Sequence, residues 1–301
     1  MEGTPFFLGN KGQNAVGLFT GLHNLETLPV GTHTVLEIEF NESKDLDPPF
    51  ETVCELTVPG KEVVYGKDCT VANLTMNMEW EVSGISVAKA FWCKEWVETT
   101  GAPVRMIGNE IGKSQIVENL PSDEEWGFSG FYREKWVVSF TVDRVRSELY
   151  QGQECWVYEM TKKDLTETYI FPSRDEMKTV FYVDKENYAV VRTTYETHPL
   201  GEFDSGYMKP AISIRELEWE LAHKEPIMTD MGTFECQVIF LKENGKTLGT
   251  IWANKEARIP LKYVYSYQEE DYEVEIRVIL TRYTENSQTA NQNVSHTYSR
   301  V

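Results

Sequence analysis

The chain has 301 residues, of which 41% are hydrophobic and 12% aromatic, and its formal net charge is −19. This composition can bury a sizeable core and argues against intrinsic disorder over most of the length. The negative charge argues against nucleic acid as a partner, because phosphate binding requires clustered Lys and Arg.

Alternating apolar and polar residues predict strands early in the chain. Residues 1–31 are Gly-rich and weakly periodic, and we expect an opening segment there with at most one short strand. The alternation of a half-buried strand begins at His33 and resumes over residues 52–58. Pro59-Gly60 is then expected to turn the chain.

The cleanest strand pattern covers residues 72–82. Its six apolar side chains, on alternate residues, share one face, so a one-residue slip would expose all six and the register should be firmly set. Met76 and Met78 beside Trp80 suit either an ordinary core or an adaptable lipid-binding cavity, since thioethers fit irregular ligands.

Residues 85–97 fit two patterns. Phe91, Trp92 and Trp96 fall on one helical face, yet alternate residues of the same stretch would equally suit a strand. We favour a helix, because the helical face carries more of the bulky residues. The acidic, turn-rich residues 118–130 then mark a soft domain boundary.

Strand patterns return in the second half of the chain. Glu243-Asn-Gly-Lys246 is its strongest hairpin signal, because Asn-Gly readily takes positive φ values. Gln151-Gly152 is a further turn signal. The strands are expected over residues 136–142, 155–160, 212–221, 234–241, 261–267 and 272–280.

Residues 181–195 and residues 251–265 share one pattern, which predicts a repeated β-hairpin. Each has an aromatic strand end, a turn with Lys-Glu, and a basic residue three positions before a Tyr. A Gly-led strand with a Cys precedes each copy. We therefore predict an N-terminal β-rich region over 1–130, a β domain over 131–284 with repeats at 131–200 and 211–284, and a polar tail over 285–301.

No pattern identifies a reaction or a metal. The five His and five Cys lack metal-ligand spacing, and no nucleophile elbow occurs. No cofactor, catalytic residue or metal site is predicted. Cys54 and Cys69 could pair in an oxidising compartment, although buried thiols are the expected role for most of the cysteines.

A curved sheet with this composition would have an aromatic, Met-rich inner side. Such a side either packs as core or leaves room for an apolar ligand. The candidate ligand-binding residues are Met76, Met78, Trp80, Trp136, Trp156, Tyr182, Trp252, Tyr263 and Tyr265.

The hairpin motifs resemble those of the LolA/LolB lipoprotein-carrier superfamily, over residues 137–283. In that family an aromatic residue and Asp end one strand, and Leu-Pro-x-Lys opens the next. Ile259-Pro-Leu-Lys262 with Trp252 and Asn254 is similar to that step, and Tyr182 and Asp184 match it in the first copy. The resemblance implies an unclosed β-barrel and a carrier role.

We therefore expect a mainly β protein of antiparallel curved, half-barrel-like sheets, with two similar units in tandem and few helices. Its expected function is non-enzymatic binding or carriage of an apolar or lipid-like small molecule. The alternative is a structural or envelope-associated module with fully packed sheets, which would bind a protein partner.

The sequence leaves the cellular location open. No transmembrane segment is predicted, since no stretch approaches about twenty apolar residues. The start of the chain lacks the basic residues of a signal peptide. We expect an extracytoplasmic protein if an upstream signal or anchor was removed, and a cytoplasmic one otherwise.

Overall fold

A computed structural model of the chain describes residues 28–42, 50–82, 85–116, 135–165, 176–186, 190–195, 203–204, 217–254, 260–269 and 272–285. Within these ranges the chain forms strands and no helix, so the predicted mainly β, antiparallel fold class is confirmed. The strands are β1 (Thr32–Glu42), β2 (Phe50–Val64), β3 (Lys67–Val82), β4 (Ile85–Glu98), β5 (Pro103–Ile116), β6 (Lys135–Tyr150), β7 (Gln153–Asp164), β8 (Met177–Asp184), β9 (Val190–Tyr195), β10 (Phe203–Asp204), β11 (Glu218–Thr229), β12 (Gly232–Glu243), β13 (Lys246–Ala253), β14 (Lys262–Glu269) and β15 (Tyr272–Glu285).

All fifteen strands belong to one antiparallel sheet. From β1 the strands follow in chain order to β10 at one edge, while β15 pairs with the other side of β1 and leads through β14 to β11 at the opposite edge. The described strands therefore form an open sheet. The predicted division near residue 130 lies outside the described residues and stays a prediction.

The register separates the side chains into two faces. Directly opposed residues in an antiparallel pair point to the same side. The face that carries Leu36 is called the inner face. Leu36 is opposite Cys54 and Leu280, Cys54 is opposite Met76, and Met76 is opposite Phe91, so all five side chains lie on this face. The other side is the outer face.

The inner face carries two apolar clusters. The first centres on β1, β2, β14 and β15, with Leu36, Leu56, Tyr263 and Leu280 almost fully buried. The second joins β4 to β9. Strand β11 also approaches β15, although three strands lie between them in the sheet, so this arm curls and the predicted curvature is confirmed.

Two local predictions are wrong. The preferred helix over residues 85–97 is strand β4, because this strand buries Phe91 on the inner face and Trp96 on the outer face, which imitates a helical pattern. Pro59-Gly60 does not turn the chain but lies within β2, where the register shifts between Thr57 and Gly60.

The predicted Asn-Gly hairpin turn is confirmed. The turn between β12 and β13 has Asn244 at φ 49° and Gly245 at φ 79°, as the Asn-Gly signal requires. Cys54 and Cys69 are free thiols, and the register places them on opposite faces, so they do not pair. Among the residues described, no helix is long and apolar enough to cross a membrane.

Candidate ligand-binding face

Aromatic rings lie against glycines on the inner face. A Cβ atom added to Gly112 would stand 1.9 Å from the Trp136 ring, and one added to Gly108 would stand 2.5 Å from the Phe140 ring. Glycine within a strand often marks such a close approach. The rings of Trp136 and Phe140 therefore cover the backbone of β5 and form part of the inner surface.

Exposure of the inner face increases towards the C-terminal end of β3 and the N-terminal end of β4. Along β3, Ala72 is buried, whereas Leu74, Met76 and Met78 are only half-buried. These three residues are called the methionine strip. Leu74 and Met76 pack against both apolar clusters, so the strip lies where the two clusters meet.

A polar pair lies at the open end of the strip. Lys89, which is opposite Met78, forms an ion pair of 2.8 Å with Glu110, and the two side chains are only 12% and 14% exposed. Trp136 Nε1 donates a 2.8 Å hydrogen bond to the same carboxylate. The pair is thus a partly desolvated polar rim on an apolar surface.

The structure places most of the predicted lining residues on this face. Trp156 is half-buried against the second cluster, with the Arg144 guanidinium 5.2 Å from its ring centroid. The backbone of Trp80 is paired with that of Val87, and the Trp80 side chain lies outside the described part. The predicted residues on the inner face are Met76, Met78, Trp136, Trp156, Tyr263 and Tyr265.

Tyr182 and Trp252 lie on the outer face, at the same position of the two predicted hairpins. Tyr182 is opposite Arg192, which stands 5.1 Å from its ring centroid. Trp252 is opposite Lys262, whose Nζ atom stands 4.7 Å from the Trp252 ring centroid. The two hairpins therefore share one register and one cation-over-ring contact, which contributes about 0.5–1 kcal/mol at exposed sites.

A third copy, which the sequence analysis missed, lies in β2 to β5. Its Trp96 is opposite Val71 and Arg105, as Tyr182 is opposite Val157 and Arg192. The signal was Gly66-Lys-Asp-Cys69-Thr-Val71, which has the same Gly-x-acid-Cys-x-Val spacing as the copy that begins at Gly152. The helical interpretation of residues 85–97 concealed it.

In two of the three copies, a Trp indole on the outer face is hydrogen-bonded to a Glu. In each copy a Glu is opposite the Cys, at Glu62, Glu148 and Glu225. Trp96 Nε1 donates a 2.7 Å hydrogen bond to Glu62, and Trp252 Nε1 donates to Glu225. These hydrogen bonds lower the pKa of both carboxyls. The contacts tie neighbouring strands together, which is a structural role.

The cysteines are poor nucleophiles. All five are buried, and burial raises the pKa of the Cys54 thiol to about 12. Since the thiolate is the reactive form, little of it exists at neutral pH. Among the described residues, no group of three or more His, Cys, Asp or Glu could hold a metal ion.

No protein-family model and no curated protein matches the chain. Among solved structures, it is similar to a protein described as a lipoprotein from Parabacteroides distasonis, at 12% identity and TM-score 0.28, with 85% of this chain and 97% of that one covered. A LolA superfamily protein from Nitrosomonas europaea matches at 8% identity and TM-score 0.22, with 91% and 94% covered.

The chain is thus similar to a LolA superfamily structure. The hairpin motifs predicted a resemblance to the same superfamily. At TM-scores of 0.28 and below, these likenesses assign no ligand or partner to the chain.

Proposed function

We propose that the protein is a non-enzymatic binding or carrier protein that holds an apolar or lipid-like molecule on the inner face of its sheet. The observation that supports this function is the methionine strip. Leu74, Met76 and Met78 remain half-buried on a face whose neighbouring side chains, such as Phe91 and Cys93, are almost fully buried.

The chemistry of the strip suits an apolar ligand. Methionine side chains are flexible and polarisable, so they adapt to irregular shapes, and binding sites combine such apolar lining with a few polar groups. The Lys89–Glu110 pair and the Trp136 indole supply polar groups at the open end. An apolar molecule on the strip would contact both clusters and remove the remaining exposed apolar surface from water.

Titration with the uncharged fluorophore N-phenylnaphthylamine tests the proposal. We expect saturable fluorescence enhancement with the folded wild type. Met76→Asn should weaken binding by about tenfold, because it places an amide in the apolar strip, and this change corresponds to about 1.4 kcal/mol. Thr75→Asn is the matched control, since it puts the same side chain on the other face of the same strand.

The competing function is an interaction module with fully packed sheets. Wild-type protein with a native circular dichroism spectrum that takes up no fluorophore would refute the carrier and favour that module. Equal losses in Met76→Asn and Thr75→Asn would also contradict binding on the inner face, because only Met76 lies there.

A further inference from the structure

Glu95 is a buried carboxyl group on the inner face. It is opposite Ala72 on β3 and Met106 on β5, and only 3% of its surface is exposed. Its Oε1 atom has no hydrogen-bond partner. Buried polar groups in folded proteins are nearly always hydrogen-bonded, so this atom requires an explanation.

The three copies show that the fold does not require a carboxyl at this position. Glu95 directly precedes Trp96, and the matching residues are Phe181 before Tyr182 and Ile251 before Trp252. Phe181 and Ile251 are both 2% exposed and belong to the apolar clusters. The repeated unit therefore packs well with an apolar side chain here, and the acid of the first copy is an addition.

The carboxyl lies at the closed end of the methionine strip. Leu74, the last residue of the strip, is opposite Cys93 and so is a diagonal neighbour of Glu95. Diagonal neighbours on a sheet face are about 7–8 Å apart, within reach of long side chains. The strip thus runs from the Lys89–Glu110 pair at its open end to a lone acceptor at its closed end.

A second polar atom without a partner belongs to Arg144, which is opposite Tyr158 in the register. Arg144 donates through Nη1 to Glu98 at 2.6 Å, but its buried Nη2 has no hydrogen-bond partner. Electrostatic influence of both Glu95 and Arg144 reaches the Tyr158 hydroxyl, whose pKa burial raises. The region therefore offers one acceptor and one donor without partners. In its low-dielectric surroundings, a hydrogen bond from a ligand to either group would be favourable.

We propose that Glu95 receives the polar head of the ligand, and that this head donates a hydrogen bond. The ligand class is a long-chain amphiphile with a hydroxyl or ammonium group, which enters head first while its chain lies along the methionine strip. This inference rests on the proposed function and adds the chemical class and the orientation of the ligand. It also accounts for the unpaired Oε1 atom.

Competition against N-phenylnaphthylamine with two matched ligands tests this assignment. The hydroxyl of 1-dodecanol donates a hydrogen bond, whereas dodecyl methyl ether has the same chain and cannot donate. We expect the wild type to prefer the alcohol by about tenfold, the size of one hydrogen bond to a buried acceptor. Glu95→Ile, which copies the residue found at Ile251, should abolish the preference and leave binding of the ether unchanged or tighter.

A second variant separates hydroxyl from ammonium ligands. Glu95→Gln keeps an acceptor oxygen without the charge, so it should retain part of the preference for the alcohol and lose affinity for dodecylamine by about tenfold. Binding of both dodecyl ligands without a preference in the wild type, or an unchanged preference in Glu95→Ile, would overturn the role of Glu95 alone. Absence of all binding to the wild type would overturn the proposed function with it.

Discussion

Replacing Glu95 with Gln should stabilise the protein, and the gain should grow with pH. Burial raises the pKa of Glu95 from 4.5 to about 7. The folded state thus holds a proton that the unfolded state has released between these two pH values. Burial of the ionised Glu95 carboxylate therefore does not lower the unfolding free energy below pH 4.5, and it lowers this free energy by its full amount above about pH 7. The difference between 4.5 and about 7, at 1.36 kcal/mol for each pH unit, gives about 3 kcal/mol.

Neighbouring groups do not titrate in the same window. The pKa of the Cys93 thiol is raised well above its ordinary value by burial, and that of Tyr158 is raised in the same way. Burial also raises the pKa of Glu98, but hydrogen bonds from Arg144 and Lys67 outweigh it and hold the value at about 2. These groups keep one charge state between pH 5 and pH 8.5.

Urea denaturation of the wild type and of Glu95→Gln at a series of pH values measures the effect. The difference in unfolding free energy should stay below about 1 kcal/mol at pH 5 and rise to about 3 kcal/mol at pH 8.5. Glu79→Gln, an exposed position on β3, is the control and should show no such rise. A difference independent of pH would refute the buried, unpaired state of Glu95.

Two further substitutions test the inner face. Gly112→Ala should lower the unfolding free energy by about 1–3 kcal/mol, because the new Cβ would overlap the Trp136 ring, whereas Gly60→Ala meets nothing within 4 Å. Equal melting temperatures for these two variants would contradict the ring packing. Lys89→Met should lower the unfolding free energy by roughly 2 kcal/mol, because it leaves the half-buried Glu110 carboxylate without its cation, and the added Glu110→Gln should recover most of this loss. No recovery in the double variant would show that the pair is not coupled.

Local alternation was enough to predict most strands, because one buried face leaves a period of two in the sequence. It failed at β4, where both faces bury aromatic side chains, Phe91 on one and Trp96 on the other. The pairing of β15 with β1 left no local signal, since it joins residues far apart in the chain. Topology of this kind is decided by packing rather than by any short pattern.

The lining of the candidate site was only partly predictable for a related reason. The aromatic side chain of Tyr182 suggested an interior position, but the outer face also buries residues of the neighbouring strand β7, including Val157 and Cys155. Aromatic content alone therefore does not show which of the two sets of alternating residues in a strand faces inward. Glu95 was missed because a lone acid within a strand is typical of a solvated position. Only the register brings it beside the methionine strip.

The contact between β1 and β15 has a consequence for how the protein is made. Thr281 donates a hydrogen bond to the carbonyl of Val35 across a sequence separation of 246 residues. During synthesis, the side of β1 that later carries β15 thus stays unpaired until β15 leaves the ribosome. Contacts so distant in sequence slow folding and prolong exposure of apolar surface, so the nascent chain should depend on chaperones until β15 docks.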